Sequence, residues 1–348
     1  MNRPELLLDY PFAAAPEAGT VREVAPGVHW LRMPLPYALD HINLWALDDG
    51  EGVALVDTGL GDDATRALWE RVFAGFVRGR PVRRVIATHL HPDHAGCAGW
   101  LAQRFGAPLY MSQADYLMAH AWRDNAAGFS LPALMAHLRR HGLAGELFEQ
   151  QAERGNAYRR SVPDFPTSYR RLMDGDELAI GGRRWRVIIG YGHAPEHASL
   201  YCAELGLLIS GDMLLPRIST NVSVSQVEPD ADPLALFLAS LRRYGELVPG
   251  EPLVLPSHGL PFRGMRERVA QLEAHHAARL EELEEACAVP RAAAEVIGTL
   301  FRRKLDVHQT FFAMGEALAH LNRLLHAGRV VRVPGGDGIE RFVRAERA

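Results

Sequence analysis

Thr88-His89-Leu90-His91-Pro92-Asp93-His94-Ala95-Gly96 follows the apolar run Val85-Ile86-Ala87 and packs three histidines and an aspartate into six positions. Neutral imidazole with carboxylate is the ligand set that borderline first-row divalent metals prefer, so this stretch predicts a metal site. A buried strand over 82–88 would deliver the chain to the motif still extended. Residues two apart then point the same way, and His89 and His91 converge. Pro92 suits the first position of a helix, which the pattern carries over 93–105 with Asp93 and His94 in its first turn. Two ligand pairs on opposite sides of one turn suit two adjacent metals.

Four side chains cannot fill two coordination spheres, so further ligands are required where other strands end. Arg184-Trp185-Arg186-Val187-Ile188-Ile189 runs into Gly192-His193-Ala194-Pro195-Glu196-His197. Gly206-Leu207-Leu208-Ile209-Ser210 runs into Gly211-Asp212, and Pro252-Leu253-Val254-Leu255 into Pro256-Ser257-His258-Gly259. Each junction carries a glycine or proline that releases the backbone from the strand.

His-x-His-x-Asp-His followed by a single His, an Asp and a last His resembles the pattern of the metallo-β-lactamase-fold hydrolase superfamily, over roughly residues 21–262. The resemblance implies an α/β fold, an αββα sandwich. It assigns His89, His91 and His193 to one metal, Asp93, His94 and His258 to a second, and makes Asp212 the bridge. It also implies that Asp57, in Val53-Ala54-Leu55-Val56-Asp57-Thr58-Gly59, supports a ligand histidine from behind. The cofactor is then two divalent ions, zinc ahead of iron or manganese. The reaction implied is hydrolysis by a metal-bridging hydroxide, formed because paired cations lower the pKa of shared water to about 7. Asp93 would aim it and return a proton to the leaving group. Glu196 stands where the family often has glycine and adds a carboxylate beside the site. Asp212 sets the chain apart from the zinc β-lactamases, which lack a bridging carboxylate, and the basic glutathione-holding region of glyoxalase II is not matched.

Length and composition agree with an enzyme of this kind. At 348 residues and 48% hydrophobic, the chain has room for one large α/β domain plus a small appendage. A net charge of −4 gives no whole-chain attraction to nucleic acid or membrane. Three scattered cysteines, Cys97, Cys202 and Cys287, fit free thiols in a reducing compartment. Residues 1–19 lack a signal-peptide layout, and a cytoplasmic location is expected.

Alternating patterns predict strands over 21–35 around Pro26-Gly27, then 42–47 and 52–57, a helix over 62–76, and a short strand over 108–111. Residues 113–172 read as a helical insertion, a candidate lid within a catalytic domain of 1–262. A charged heptad-like helix over 265–286 makes 263–289 a connector. In 290–348, helices over 292–301 and 311–326 precede a hairpin, Arg329-Val330-Val331-Arg332-Val333 and Ile339-Glu340-Arg341-Phe342-Val343 around a glycine-rich turn. Helix, helix, hairpin is a winged-helix arrangement, and the whole plan looks like the β-lactamase-like-protein-2 group, in which nuclease and thioesterase activities both occur. The second helix carries Phe311, Phe312, Met314, Leu318, Leu321, Leu324 and Leu325 with few basic side chains, so packing or homodimer contact is favoured over nucleic-acid binding.

The expected partner is therefore a small-molecule thioester, ester or lactone. The rivals are a metal-dependent ribonuclease, a mononuclear-iron persulfide dioxygenase-like oxidoreductase, and a non-catalytic winged-helix binder. Two residues near the site have weaker roles. His197 is read as a ligand's partner, a substrate contact or a loop-bonded histidine, and Arg217 as a carboxylate or phosphate contact or an ion-pair partner of Glu196. His120, His137, His141, His275, His276, His308, His320 and His326 lack ligand spacing and are expected at the surface or in packing.

Overall fold

Pro26-Gly27 turns the chain between β1 (Val21–Ala25) and β2 (Val28–Pro34), and β3 (His41–Asp49) and β4 (Gly52–Val56) follow, all paired antiparallel. From β4 the sheet continues in parallel through β5 (Val82–Ile86), β6 (Leu109–Met111) and β7 (Arg170–Arg171), giving seven strands in sequence order. A second sheet is built from β8 (Glu177–Ile180), β9 (Arg183–Gly190), β10 (His197–Cys202), β11 (Leu207–Gly211) and β12 (Leu253–Pro256). Its order is β12-β11-β10-β9-β8, with only β11 and β12 parallel. This computed structural model describes residues 8–346. The reading of 1–19 falls partly outside the described residues.

The pleat sorts neighbours to opposite faces. Trp30 joins Trp45, Val56 and Ile86 against Trp185, Val187, Leu200, Ile209 and Leu255 of the second sheet, forming one buried core between the sheets. Leu31, next along β2, faces the other way with Leu44, Leu55 and Val85, beneath Trp69 of α1 (Asp63–Val72) and Leu101 of α3 (Ala98–Phe105). On the far side of the second sheet, Tyr244 of α8 (Pro233–Leu247) shares a 2.7 Å hydrogen bond with Ser199 of β10. The layers are helix, sheet, sheet, helix, as the αββα expectation requires.

The single helix expected over 93–105 is two: α2 (Pro92–Ala95) and α3. Thr58 is the cause. Its amide and hydroxyl both donate to the His94 carbonyl, at 2.8 and 2.7 Å, and that carbonyl is diverted from the helical ladder. Gly96 fills the break because a Cβ there would lie 2.4 Å from Gly61 N and 2.6 Å from Gly59 O. β10 and α8 were not anticipated from the sequence. The insertion is shorter than expected at its end, since β7 already belongs to the first sheet. Its helices are α4 (Gln113–Arg123), α5 (Leu131–Arg140), α6 (Glu146–Glu153) and α7 (Ala157–Ser161).

Two compact units interleave along the chain, where the sequence suggested contiguous ranges. The first comprises Met1–Arg123, Tyr158–Thr220 and Ser240–Val269, the second Asp124–Ala157, Asn221–Ala239 and Ala270–Ala348. α9 (Met265–Ala286) has residues in both. The second unit contains α10 (Ala293–Leu300), α11 (Val307–His326) and the antiparallel hairpin of β13 (Val330–Pro334) and β14 (Glu340–Arg344). α11 begins before residue 311 because Asp306 and Gln309 form a reciprocal cap, the Asp306 carboxylate accepting from Gln309 N at 2.8 Å and the Gln309 side-chain Oε1 from Asp306 N at 3.3 Å. Met314, Leu318, Leu321 and Leu324 are all buried. His276 and His320 form a buried ring pair at 3.1 Å, a packing role as expected. Cys97, Cys202 and Cys287 are free and buried, and no helix among the described residues is long and apolar enough to cross a membrane.

Glu316, in α11, yields a stability prediction. Burial pushes its pKa up to about 7, and the Asn221 amide at 3.3 Å offsets this only partly. The folded chain keeps this proton to about pH 7 while the unfolded chain releases it near 4.5, so the unfolded state binds fewer protons in between. Stability therefore falls as pH rises through that window and stays reduced above it. Glu316→Gln keeps an acceptor for Asn221 without the charge. At pH 8 it is expected to stabilise the second unit by about 3 kcal/mol, since one pKa unit is worth about 1.4 kcal/mol. At pH 4 it should do almost nothing, and urea unfolding at both pH values checks the difference.

Candidate metal centre

Every strand that carries a candidate ligand ends at the same edge of the sandwich. β4 and β5 run parallel there, as do β11 and β12, and β9 runs with β11 because β10 opposes both. His89 and His91 follow β5, His193 follows β9, Asp212 follows β11, and His258 follows β12. All seven candidate ligands come together. The donor atoms of His89, His91, His193 and Asp212 lie within 4.8 Å of one another, and so do those of Asp93, His94 and His258.

In the first group His89 Nε2, His91 Nδ1 and His193 Nε2 form a triangle with sides of 2.8, 3.1 and 3.1 Å. Hydrogen bonds alone cannot hold it. A ring nitrogen is either a donor or an acceptor, so among three of them at least one side joins like with like. A cation that takes all three lone pairs resolves the conflict. Burial, followed by the neighbouring imidazoles, holds the pKa values of His89 and His91 well below the usual histidine value, which keeps those lone pairs free.

The second group is rich in carboxylate. Asp93 Oδ2 lies 3.7 Å from His94 Nε2 and 3.5 Å from His258 Nε2. Asp212 divides its oxygens between the groups: Oδ2 is 3.5 Å from His193 Nε2, whereas Oδ1 is 3.5 Å from His94 Nε2 and 3.4 Å from His258 Nε2. Burial lowers the pKa of His94, but Asp57, Asp93 and Asp212 outweigh it and hold the ring well above its usual value. Burial likewise opposes, and Asp212 and Asp93 overcome it, at His258. These carboxylates call for positive charge, and His94 Nε2 and Asp212 Oδ1 are buried without a hydrogen-bond partner. A divalent cation fits both observations.

Groups behind the ligands set which nitrogen faces inward. Asp57 Oδ2 accepts from His94 Nδ1 at 2.8 Å, and its Oδ1 accepts from the Thr88 amide at 2.8 Å, where the resemblance placed it. Asp57 holds a left-handed φ of 61°, the kind of backbone strain that persists at functional sites. Thr88 Oγ1, 3.0 Å from Asp57 and 3.1 Å from His89 Nδ1, donates to the carboxylate and accepts from the ring. His258 Nδ1 donates to the His41 carbonyl at 2.7 Å. In every case the opposite nitrogen is left for the site.

The weaker assignments resolve differently. His197 belongs to neither donor group. Its Nε2 accepts from the Asp212 amide at 3.1 Å, and Gly211 (φ 54°) makes room, since a Cβ there would lie 2.3 Å from that nitrogen. Glu196 is a correction: its carboxylate accepts from Ala114 N at 3.0 Å, capping the start of α4, and it forms no ion pair with Arg217. Arg217 is exposed and has no hydrogen bond or ion pair among the described residues. The sequence reading also missed residues that hold the ligand loops. Asn43, buried in β3, donates to the carbonyls of Pro256 and Gly259 at 2.8 and 2.9 Å, on either side of His258. Asp115 accepts from Leu90 N and Glu196 N. A single amide inside the apolar run Ile42-Asn43-Leu44-Trp45 was the signal for the first of these.

Fold and donor set are those of an α/β protein with a cluster suited to divalent metal, and the chain belongs to the Metallo-beta-lactamase superfamily, which matches residues 38–258. Residues 280–345 match the Metallo-beta-lactamase-like, C-terminal domain. A beta-lactamase domain protein from Burkholderia ambifaria has a TM-score of 0.92 at 50% identity, covering 99% of this chain and 100% of its own. "Probable metallo-hydrolase YqjP" of Bacillus subtilis (strain 168) is 27% identical over 307 residues, 84% of this chain and 91% of its own. "Acyl-coenzyme A thioesterase MBLAC2" of Bos taurus is 23% identical over 205 residues, 56% of this chain and 65% of its own. The chain is thus a superfamily member with metallo-hydrolase homologues and a His/Asp cluster suited to divalent metal.

Proposed function

We propose that the chain is a dinuclear metal-dependent hydrolase acting on a small thioester, ester or lactone. The division of the two Asp212 oxygens between two donor groups supports this reading, because it places one buried carboxylate where it would serve two adjacent cations. His89, His91 and His193 would hold one ion and Asp93, His94 and His258 the other, with zinc preferred over iron or manganese. Such a pair supplies an activated water and polarises the scissile carbonyl. Asp93, its side chain 19% exposed, is the group placed to hold a proton and return it to the leaving group. A thiolate needs little such help, and the thioesterase among the relatives supports that substrate class.

Arg217 is the proposed contact for an anionic part of the substrate. Its loop is pinned, since Thr220 Oγ1 donates to the Asp212 carbonyl and Arg268 donates to the carbonyls of Leu215 and Ile218 at 2.7 and 2.9 Å. A Cβ on Gly259, beside His258, would meet Pro216 at 2.7 Å, so Arg217 follows a residue packed against the centre. Arg217→Ala is expected to raise KM for carboxylate- or phosphate-bearing thioesters about tenfold with kcat unchanged, the loss of one charge-assisted contact. An equal KM change for uncharged thioesters would refute it. Residues 290–348 are read as a winged-helix module for packing or homodimer contact, and the location as cytoplasmic.

Elemental analysis with a panel of acyl-thioesters, lactones and phosphodiesters tests the function. The expected result is two ions per chain and thioester or ester hydrolysis that chelation abolishes and zinc restores. RNA cleavage lost in His89→Ala, or one iron per chain with thiol-dependent oxygen uptake, would replace the reading. Salt-sensitive duplex binding that survives chelation would do the same.

A further inference from the structure

Asp115 lies in the first turn of α4, outside both donor groups, and is fully buried. Its Oδ1 accepts from Leu90 N at 2.9 Å, and its Oδ2 accepts from Glu196 N at 2.7 Å and from Ser112 Oγ at 3.2 Å. Leu90 is the residue between His89 and His91, and Glu196 is three beyond His193. One carboxylate therefore ties together the two loops that carry the histidines of the first group. Leu90 is held on its carbonyl side as well, where Tyr158 donates its hydroxyl to the Leu90 carbonyl at 2.7 Å. Glu196 returns the link by accepting from Ala114 N.

We propose that Asp115 is a positioning residue for the first metal alone, holding the His89-Leu90-His91 and His193 loops at the separation that closes the nitrogen triangle. His94 and His258 have separate supports: Asp57 behind His94 and the His41 carbonyl behind His258. Neither runs through Asp115. A carboxylate that merely holds the fold together would weaken both groups alike when altered, whereas a positioning residue weakens one.

Asp115→Asn separates these. An amide presents one acceptor and one donor, so whichever way it turns, its NH2 meets one of the two backbone N–H groups and that loop is released. The inference rests on the dinuclear reading, and the full-length protein is used with zinc titrated against a chromophoric chelator. His258→Ala disables the second group and His193→Ala the first, leaving one zinc site in each background. Asp115→Asn is expected to weaken zinc binding about 10–100-fold in His258→Ala, the range for partners of ligand residues. In His193→Ala it should leave binding within twofold. Tyr158→Phe, which loosens Leu90 more gently on its carbonyl side, should act in the same direction by a few fold and serves if Asp115→Asn does not fold by circular dichroism. Equal weakening in both backgrounds, or none in either, overturns the inference. Wild-type protein that takes up fewer than two zinc ions overturns the dinuclear reading itself.

Discussion

Asp212→Ala is expected to cost the protein both metal sites and nearly all hydrolysis. Removing any other ligand spoils one donor group, but Asp212 supplies Oδ2 to the first and Oδ1 to the second. Burial pushes its carboxyl pKa up, and His258 and His94 more than reverse this, so the side chain is an anion lodged between the groups. Without it, His94 and His258 keep only Asp93 on the site side. The rate loss should exceed the roughly 10–100-fold that removing a ligand's outer partner costs. Asp212→Asn, which keeps an oxygen but not the charge, should fall between the two. Metal content per chain together with kcat/KM on a thioester decides the matter. An alanine variant that keeps two ions and stays within tenfold of wild type would refute the bridging role.

Much of this centre was legible because the ligands announce themselves one strand end at a time. A histidine or aspartate after an apolar run and a glycine or proline has few competing explanations, and three such junctions reinforce the histidine-rich motif at 89–94. The sandwich was legible for a related reason, since strands buried on one or both faces write their burial into the sequence. Elements without that pattern were not read. β10 carries Ser199 among apolar neighbours; α8 does carry a start signal, Pro233 at its first position and Asp232 accepting from Ala235 N at 3.0 Å, but it lies in a run of Asp and Pro that reads first as loop.

The supporting residues were hidden for a different physical reason. Asp115, in Ser112-Gln113-Ala114-Asp115, has the sequence of an ordinary acidic first turn, where a carboxylate is favoured by the helix dipole in any case. Nothing local says that its partners lie 25 and 81 residues away. Glu196 is the converse case. A carboxylate two residues from Ala194 and three from His193 looked like part of the site, yet its reach is taken up by the amide at the start of α4. Proximity in sequence places the backbone, whereas the hydrogen-bond demand of a neighbouring element decides where the side chain goes.

Asn43→Ala should be the most destabilising single change near the site. Asn43 Oδ1 accepts from Trp30 Nε1 at 2.9 Å and Arg32 Nε at 3.1 Å, and its Nδ2 donates to the carbonyls of Pro256 and Gly259. Alanine leaves the indole N–H and the Pro256 carbonyl buried without partners, each costing about 1–3 kcal/mol, while Arg32 still reaches the Gly259 carbonyl at 2.7 Å. A total loss of about 3–5 kcal/mol is expected by urea unfolding of the metal-free protein, with zinc binding by the second group weakened because the loop around His258 is released. Asn43→Asp is sharper, since it places a second acceptor against two carbonyls. Its carboxyl pKa should rise, so the variant is less stable at pH 8 than at pH 5, where the protonated oxygen donates to one of them. An alanine variant within 1 kcal/mol of wild type, or an aspartate variant indifferent to pH, would show that the His258 loop is held by other contacts.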